Sequence, residues 1–288
     1  MKILVTGSNG QLGREMQELA VDFPQYSFLY TDVDELDITN EGKVNDFFLD
    51  NKPDVVINCA AYTAVDKAET EESPAYLVNA TAVGILARAS ASNKALLIHI
   101  STDYVFDGKA FCPYKETERT NPVSVYAHTK FAGEIAVKEN ACQALILRTS
   151  WLYSAFGNNF VKTMIKYGKE RGLLNVVSDQ VGTPTYARDL AETILTIIPL
   201  AFENSGIEVY HYSNEGVASW YDFAKAIIEM SGIDCRINPI GTKDYPLPAA
   251  RPFYSVLDKS KLKEKFAIEI PYWRDSVKHC VLRLAEKE

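Results

Sequence analysis

The stretch VTGSNGQLG, residues 5–13, joins an apolar N-terminal run, KILVT, to a segment with Leu12, Met16, Leu19 and Ala20 at helical spacing. Gly7, Gly10 and Gly13 recur in it at three-residue steps. A strand that turns sharply into a helix uses glycine for the turn, for close approach of a phosphate to the backbone, and for close helix–sheet packing. The helix start behind such a turn offers free N–H groups and the positive end of the helix dipole, which suit a pyrophosphate. The spacing is G-x-x-G-x-x-G, one residue longer than the common dinucleotide fingerprint, and the same mechanics apply. These glycines predict a dinucleotide site.

Downstream, β-rich runs alternate with helical stretches. YSFLYTD, PDVVINCA, ALLIHIS and ALILRTS read as strands two to five. NEGKVNDFFLDN, SPAYLVNATAVGILARASASN and PVSVYAHTKFAGEIAVKEN read as helices between them. The apolar strands suit a parallel sheet buried on both faces. This alternation predicts an α/β fold, a doubly wound parallel sheet of Rossmann type with right-handed crossovers. After Trp151 the rhythm loosens: FVKTMIKYGKE, ARDLAETILTII and SWYDFAKAIIEMSG read as helices, and LNVVSD and IEVYHY as strands. The tail NPIGTKDYPLPAARPFYSV holds four of the 12 prolines without clear periodicity and suits a substrate-facing loop region. The expected organisation is a dinucleotide-binding domain over 1–150, rejoined by segments near 170–215. A smaller, closely packed substrate-binding domain takes up most of 151–288.

A net charge of −8 argues against a general nucleic-acid or anionic-membrane binder. No apolar run is long enough to cross a membrane. The five cysteines are scattered and never form C-x-x-C, as expected of free thiols in a reducing compartment. The four histidines form no metal-like cluster, so no metal is expected. With a strand at its very start and no signal-like segment, the chain is expected to be cytoplasmic.

Asp32 ends the second strand 19 residues beyond Gly13, where a carboxylate can bond an adenosine ribose hydroxyl. That leans toward NAD, since a carboxylate repels a 2′-phosphate, but Arg14 can reach the same region and both NADH and NADPH stay open. Ligands of open α/β sheets bind beyond the carboxyl ends of the strands. There the chain has STDYVFDG, with Thr102 ending the fourth strand. The next long helix carries Tyr126 and Lys130 on one face, one turn apart. Tyr221 and Lys225 share that spacing but have no glycine turn or strand-end hydroxyl ahead of them. They read as an ordinary helix pair.

With the glycine turn, this constellation resembles the extended branch of the short-chain dehydrogenase/reductase superfamily. NCAAYTAVDKAE, STDYVFDG, YAHTKFAGE, LRTSWLY, NNFVKTM, DQVGTPT and ARPFYSVLD, in that order, resemble the dTDP-4-dehydrorhamnose reductase family. The resemblance implies reduction of a dTDP-sugar ketone at C4 by NADPH or NADH, toward dTDP-L-rhamnose and polysaccharide precursors. It implies that Gly10, Gln11, Leu12, Asp32, Asp37, Ile38, Ala61, Tyr62 and Thr63 line the cofactor. Thr102, Asp103 and Trp151 would touch the sugar nucleotide, and Arg251 either neutralises its diphosphate or forms a surface salt bridge. A ketone that receives hydride needs a proton donor, which Tyr126 would be. Lys130 is expected to stabilise the phenolate, bring Tyr126 toward working pH and hold the nicotinamide ribose. Thr102 would bond the substrate oxygen or the phenol.

The chain departs from the family pattern at Ala127, His128 and Thr129, and His128 is expected to face solvent. Some relatives form metal-bridged dimers through glutamates. Glu15 matches one such position, but Arg188 stands where another acid would be, so a homodimer is left open. Two other readings stay in view: an epimerase or dehydratase of the same branch, and a non-catalytic regulatory subunit. The single acid Asp103 after Thr102 argues against a dehydratase, which needs its own acid and base.

Overall fold

The computed structural model describes residues 1–286. In chain order the first half comprises β1 (Lys2–Thr6), α1 (Gln11–Leu19), β2 (Ser27–Thr31), α2 (Glu41–Asn51) and β3 (Val55–Asn58). Then come α3 (Val65–Ala68), α4 (Glu72–Tyr76), α5 (Ala82–Ser92), β4 (Leu96–Thr102), α6 (Val125–Asn140) and β5 (Gln143–Thr149). The second half adds β6 (Leu152–Tyr153), α7 (Phe160–Glu170), β7 (Leu173–Val177), β8 (Val181–Gly182), β9 (Thr185–Tyr186) and α8 (Ala187–Glu203). It continues with β10 (Gly206–His211), β11 (Ala218–Ser219), α9 (Trp220–Met230), β12 (Arg236–Ile240), α10 (Ser260–Phe266) and α11 (Trp273–Ala285).

The main sheet has six strands in the order β10-β5-β4-β3-β1-β2, every neighbouring pair parallel. All four residues of β3 are buried, as a central parallel strand requires. Leu12, Met16, Ile194 and Ile198 of α1 and α8 cover one face of the sheet. Val44, Phe48, Leu86 and Val137 of α2, α5 and α6 cover the other. This is the doubly wound fold expected from the sequence. The chain leaves β1 toward β2 on one side and toward β3 on the other. A crevice therefore opens above the carboxyl ends of β1 and β3, the switch point where such sheets hold ligands.

A separate apolar cluster joins α7, α9 and α11 to the small β7–β12 pair, with Tyr153, Phe223 and Trp273 at its centre. The Pro-rich tail is more ordered at its start than its sequence implies: Asn238–Ile240 belong to β12, paired with β7. Two helices, α10 and α11, lie beyond the segments whose periodicity stood out. The long helix expected from Ser73 to Asn93 is also interrupted, because Leu77–Thr81 form a π-helical turn between α4 and α5. That turn pushes the Asn79 carbonyl toward α6, where a Cβ on Gly133 would overlap it. Gly133 thus lets α6 pack closely on that turn.

Candidate active site

The glycine turn supplies the floor of the site. Gly7 has φ +62°, and a Cβ there would lie 2.6 Å from the Ala60 backbone. A Cβ on Gly13 would meet the Ser8 backbone at 2.5 Å. Gly7 therefore makes the turn and Gly13 permits helix–turn packing, while Gly10 stands at the start of α1 without a side chain to cap it. Asp32 fixes the turn from the neighbouring strand: its Oδ2 accepts from Asn9 N at 2.9 Å and its Oδ1 from Val33 N at 2.9 Å. Asp37 is held below the usual carboxylate range by its bonds from the Thr39 hydroxyl and N–H. Arg14 lies over the Phe156 ring, 5.3 Å from its centroid.

Above this floor lies a cleft of about 830 Å³. It brings together Gly7, Gly10, Gln11, Leu12, Asp32, Asp37, Ile38, Ala61, Thr63, Thr102, Asp103, Tyr126, Lys130 and Trp151, which are spread over 145 positions of sequence. Three residues named from sequence stand outside its lining. Gly13 is a packing glycine. Tyr62 bonds the Asn79 side chain through its own N–H and carbonyl, and its phenol donates to Glu71. The Arg251 guanidinium bonds Asp66 at 2.8 Å and the Ala249 carbonyl at 3.1 Å.

Ser124 caps α6 by accepting from Ala127 N at 3.2 Å, which sets the first turn of the helix and with it Tyr126. Burial pushes the Tyr126 phenol up to about 12, the Asp103 charge adds to this, and a bond from Thr102 opposes it. The phenol therefore stands above its ordinary value rather than nearer working pH. The two side chains share a helix face, and Lys130 Nζ donates to the Ile100 carbonyl of β4 at 2.7 Å. Burial in turn lowers Lys130 to about 8, with Glu134 and Cys59 opposing. The site thus holds a phenol that keeps its proton at neutral pH beside an amine near its own titration point.

Thr102 Oγ1 donates to Asp103 Oδ1 at 2.9 Å and accepts from Tyr104 N at 3.2 Å. Beneath it, Glu134 receives Arg148 at 2.8 and 2.7 Å and Ser101 Oγ at 2.6 Å, all buried. Trp151 adopts a left-handed backbone, φ +48°, rare for a bulky residue. Its indole stacks on Trp220 at 3.7 Å and 10°, and a Cβ on Gly182 would press into its ring at 2.8 Å. Trp220 also lines the cleft, though its sequence showed only a helical packing residue. Its partner lies 69 positions away, so no local signal marks it. Strain at a cleft-lining aromatic is characteristic of ligand-holding positions.

Tyr221 and Lys225 lie on α9, away from the cleft. His128 is exposed at the surface of α6. Glu15 is buried in bonds from Ser154 and Arg283, with Arg188 at 3.8 Å. Among the described residues, no group of three His, Cys, Asp or Glu side chains is placed to hold a metal ion. No helix among them is long and apolar enough to cross a membrane.

A positive-φ glycine turn at a helix start, an acid at the end of the neighbouring strand and Thr102, Tyr126 and Lys130 lining one crevice are the features of an NAD(P)-dependent oxidoreductase of the extended short-chain class. The family described as RmlD substrate binding domain matches residues 1–286. A dTDP-4-dehydrorhamnose reductase from Aggregatibacter actinomycetemcomitans is 42% identical over 287 residues, 96% of this chain and 97% of that one. The crystal structure of a dTDP-4-dehydrorhamnose reductase from Clostridium acetobutylicum superposes with TM-score 0.94 at 46% identity, covering 99% of this chain and 100% of that one. The enzyme of the same name from Bacillus anthracis, solved in complex with NADP, gives 0.93 at 39% identity, covering 98% and 99%. The chain belongs to the dTDP-4-dehydrorhamnose reductase family.

Proposed function

We propose that this chain reduces the C4 ketone of dTDP-4-dehydro-6-deoxy-L-mannose to dTDP-L-rhamnose, with Tyr126 as the proton donor. The observation that carries this is the half-buried Tyr126 at the strand-end crevice, lining the same cleft as the glycine cradle, its phenol pushed above its ordinary range. The cradle fits a dinucleotide: the space a Cβ would fill at Gly7 is backbone, and the free N–H groups at the start of α1 face the turn. Gly7, Gly10, Gln11 and Leu12 would hold the pyrophosphate. Asp32, Asp37 and Ile38 would hold the adenosine end, with Ala61 and Thr63 along the chain beside Tyr62. When bound, reduced nicotinamide supplies the hydride.

Tyr126 gives its proton to the oxygen that becomes the C4 hydroxyl. Its elevated pKa keeps it charged with that proton throughout the neutral range, which suits an acid in the reductive direction. Lys130 holds the nicotinamide ribose, and its bond to Ile100 fixes it on the sheet. Thr102, held by Asp103 and Tyr104 N, bonds the substrate oxygen or the phenol from the end of β4. Trp151, braced by Trp220, forms the wall for the sugar nucleotide. We assign residues 1–150 with α8 and β10 to dinucleotide binding and the α7, α9 and α11 cluster to the substrate side. The net charge of −8 favours a small ligand over nucleic acid, and a cytoplasmic location suits an enzyme that draws on reduced nicotinamide.

Tyr126→Phe tests the assignment. It should preserve cofactor binding and lower turnover by about 10²–10⁴-fold. Tyr221→Phe should leave turnover nearly intact, and equal losses in the two variants would remove Tyr126 as the donor.

A further inference from the structure

Lys130 and Glu134 stand one turn apart on α6, and both are buried, at 2% and 0% exposure. Consecutive residues of β4 hold them. The Ile100 carbonyl accepts from Lys130 Nζ at 2.7 Å, and the Ser101 hydroxyl donates to Glu134 Oε1 at 2.6 Å. From β5, Arg148 adds two bonds to the same carboxylate, at 2.8 and 2.7 Å. Helix and two strands therefore meet at Glu134, one turn from an amine that lines the cofactor cleft. A buried ammonium bonded to a neutral carbonyl is costly unless a negative charge stands near it. The other ionisable groups around Lys130 supply none. Burial pushes the Cys59 thiol, just beyond β3, up to about 12, so it stays neutral. Burial and the Lys130 charge hold His99 of β4 neutral, and Tyr126 on α6 itself keeps its proton. Glu134 is the carboxylate whose charge acts on Lys130.

We propose that Glu134 is a positioning residue for Lys130: clamped by Arg148 and Ser101, its carboxylate keeps the buried amine an ammonium, the form that donates to the nicotinamide ribose. The inference rests on the reductase reading above, in which Lys130 holds that ribose. Burial lowers the amine to about 8, and Glu134 keeps it from falling further, so the ammonium prevails at neutral pH. Without the Glu134 charge the amine gives up its proton within the neutral range, and the cofactor is held less tightly there. Arg148 serves by fixing the carboxylate. A cation of another shape in its place therefore weakens the packing but leaves the effect on Lys130 intact.

The test follows the Lys130 side-chain resonance by NMR against pH, in lysine-labelled protein without substrate. Its loss in Lys130→Met identifies it. Wild type should titrate near 8. Glu134→Gln should lower that midpoint by about one pH unit or more, a roughly 10-fold stronger acid. Glu134→Leu with Arg148→Met, which removes both charges and strands neither, should lower it likewise. Arg148→Lys keeps both charges but loses the forked contact with the carboxylate. It should be less stable than wild type and still titrate near 8. In parallel, the dissociation constant of the reduced cofactor should rise above about pH 8 in wild type and at correspondingly lower pH in Glu134→Gln. A wild-type midpoint in Glu134→Gln or in the double variant overturns the proposal. So does an Arg148→Lys midpoint as low as that of Glu134→Gln, since disrupted packing would then account for both. Wild type that oxidises no reduced nicotinamide with the ketone removes the reductase reading while the titration stands, a distinct failure.

Discussion

Glu134→Gln tests the ion pair beneath the site. The Glu134 and Arg148 side chains are 0% and 2% exposed, and the guanidinium contacts the carboxylate through two nitrogens at 2.8 and 2.7 Å. Arg148 also lies over the Phe106 ring at 5.1 Å and faces His211 at 3.5 Å. Neither neighbour can replace the lost anion, since burial and the Arg148 charge hold His211 down to about 3 and therefore neutral. Gln fills the same volume, so the substitution isolates the charge, and a buried guanidinium left uncompensated costs about 3–5 kcal/mol. Against a total stability of about 5–15 kcal/mol, that is a large fraction. With an m-value of about 3 kcal/mol/M, the urea midpoint should fall by about 1–1.7 M. Replacing both partners, as Glu134→Leu with Arg148→Met, should cost less than the single change. A loss below about 1 kcal/mol for Glu134→Gln would refute the view that this pair is held by mutual compensation.

Gly7→Ala should abolish measurable cofactor binding and lower stability by more than the about 1–2 kcal/mol of its left-handed φ, because its Cβ also overlaps the Ala60 backbone. Gly172→Ala, with nothing within 4 Å of its Cβ, should leave cofactor titration unchanged. Asp103 binds its proton more tightly folded, near pH 7, than unfolded, near 3.8, so wild-type stability is progressively lost as pH rises between those values. A three-unit difference corresponds to about 4 kcal/mol, and Asp103→Asn should outlast wild type in urea at pH 8 but not at pH 4. Equal pH dependence of the two midpoints would contradict the raised carboxyl.

The parts legible in the sequence are those set by local backbone demands. Gly7 and Gly13 mark a turn because no Cβ fits there, and VVIN reads as a central strand because both its faces are buried. The pairing of Tyr126 with the strand-end Thr102 followed from helix period and sheet topology together. What stayed hidden depends on partners far along the chain. Trp220 matters through Trp151, Arg251 is held by Asp66, and Lys130 bonds the Ile100 carbonyl of β4. The π turn at Leu77–Thr81 answers the close approach of α6 at Gly133, and helix propensity carries no trace of that contact. Asp103 was visible as an acid near the substrate, but its missing counter-ion appears only once the tail and α6 are folded around it.

The account's central claim is tested most directly by following reduced-nicotinamide absorbance after adding dTDP-4-dehydro-6-deoxy-L-mannose, separately with NADH and NADPH, while measuring dTDP-L-rhamnose. The account predicts a decay matched one-to-one by product in wild type and nearly absent in Tyr126→Phe. No decay with either cofactor, in folded protein that still binds the dinucleotide, would contradict it.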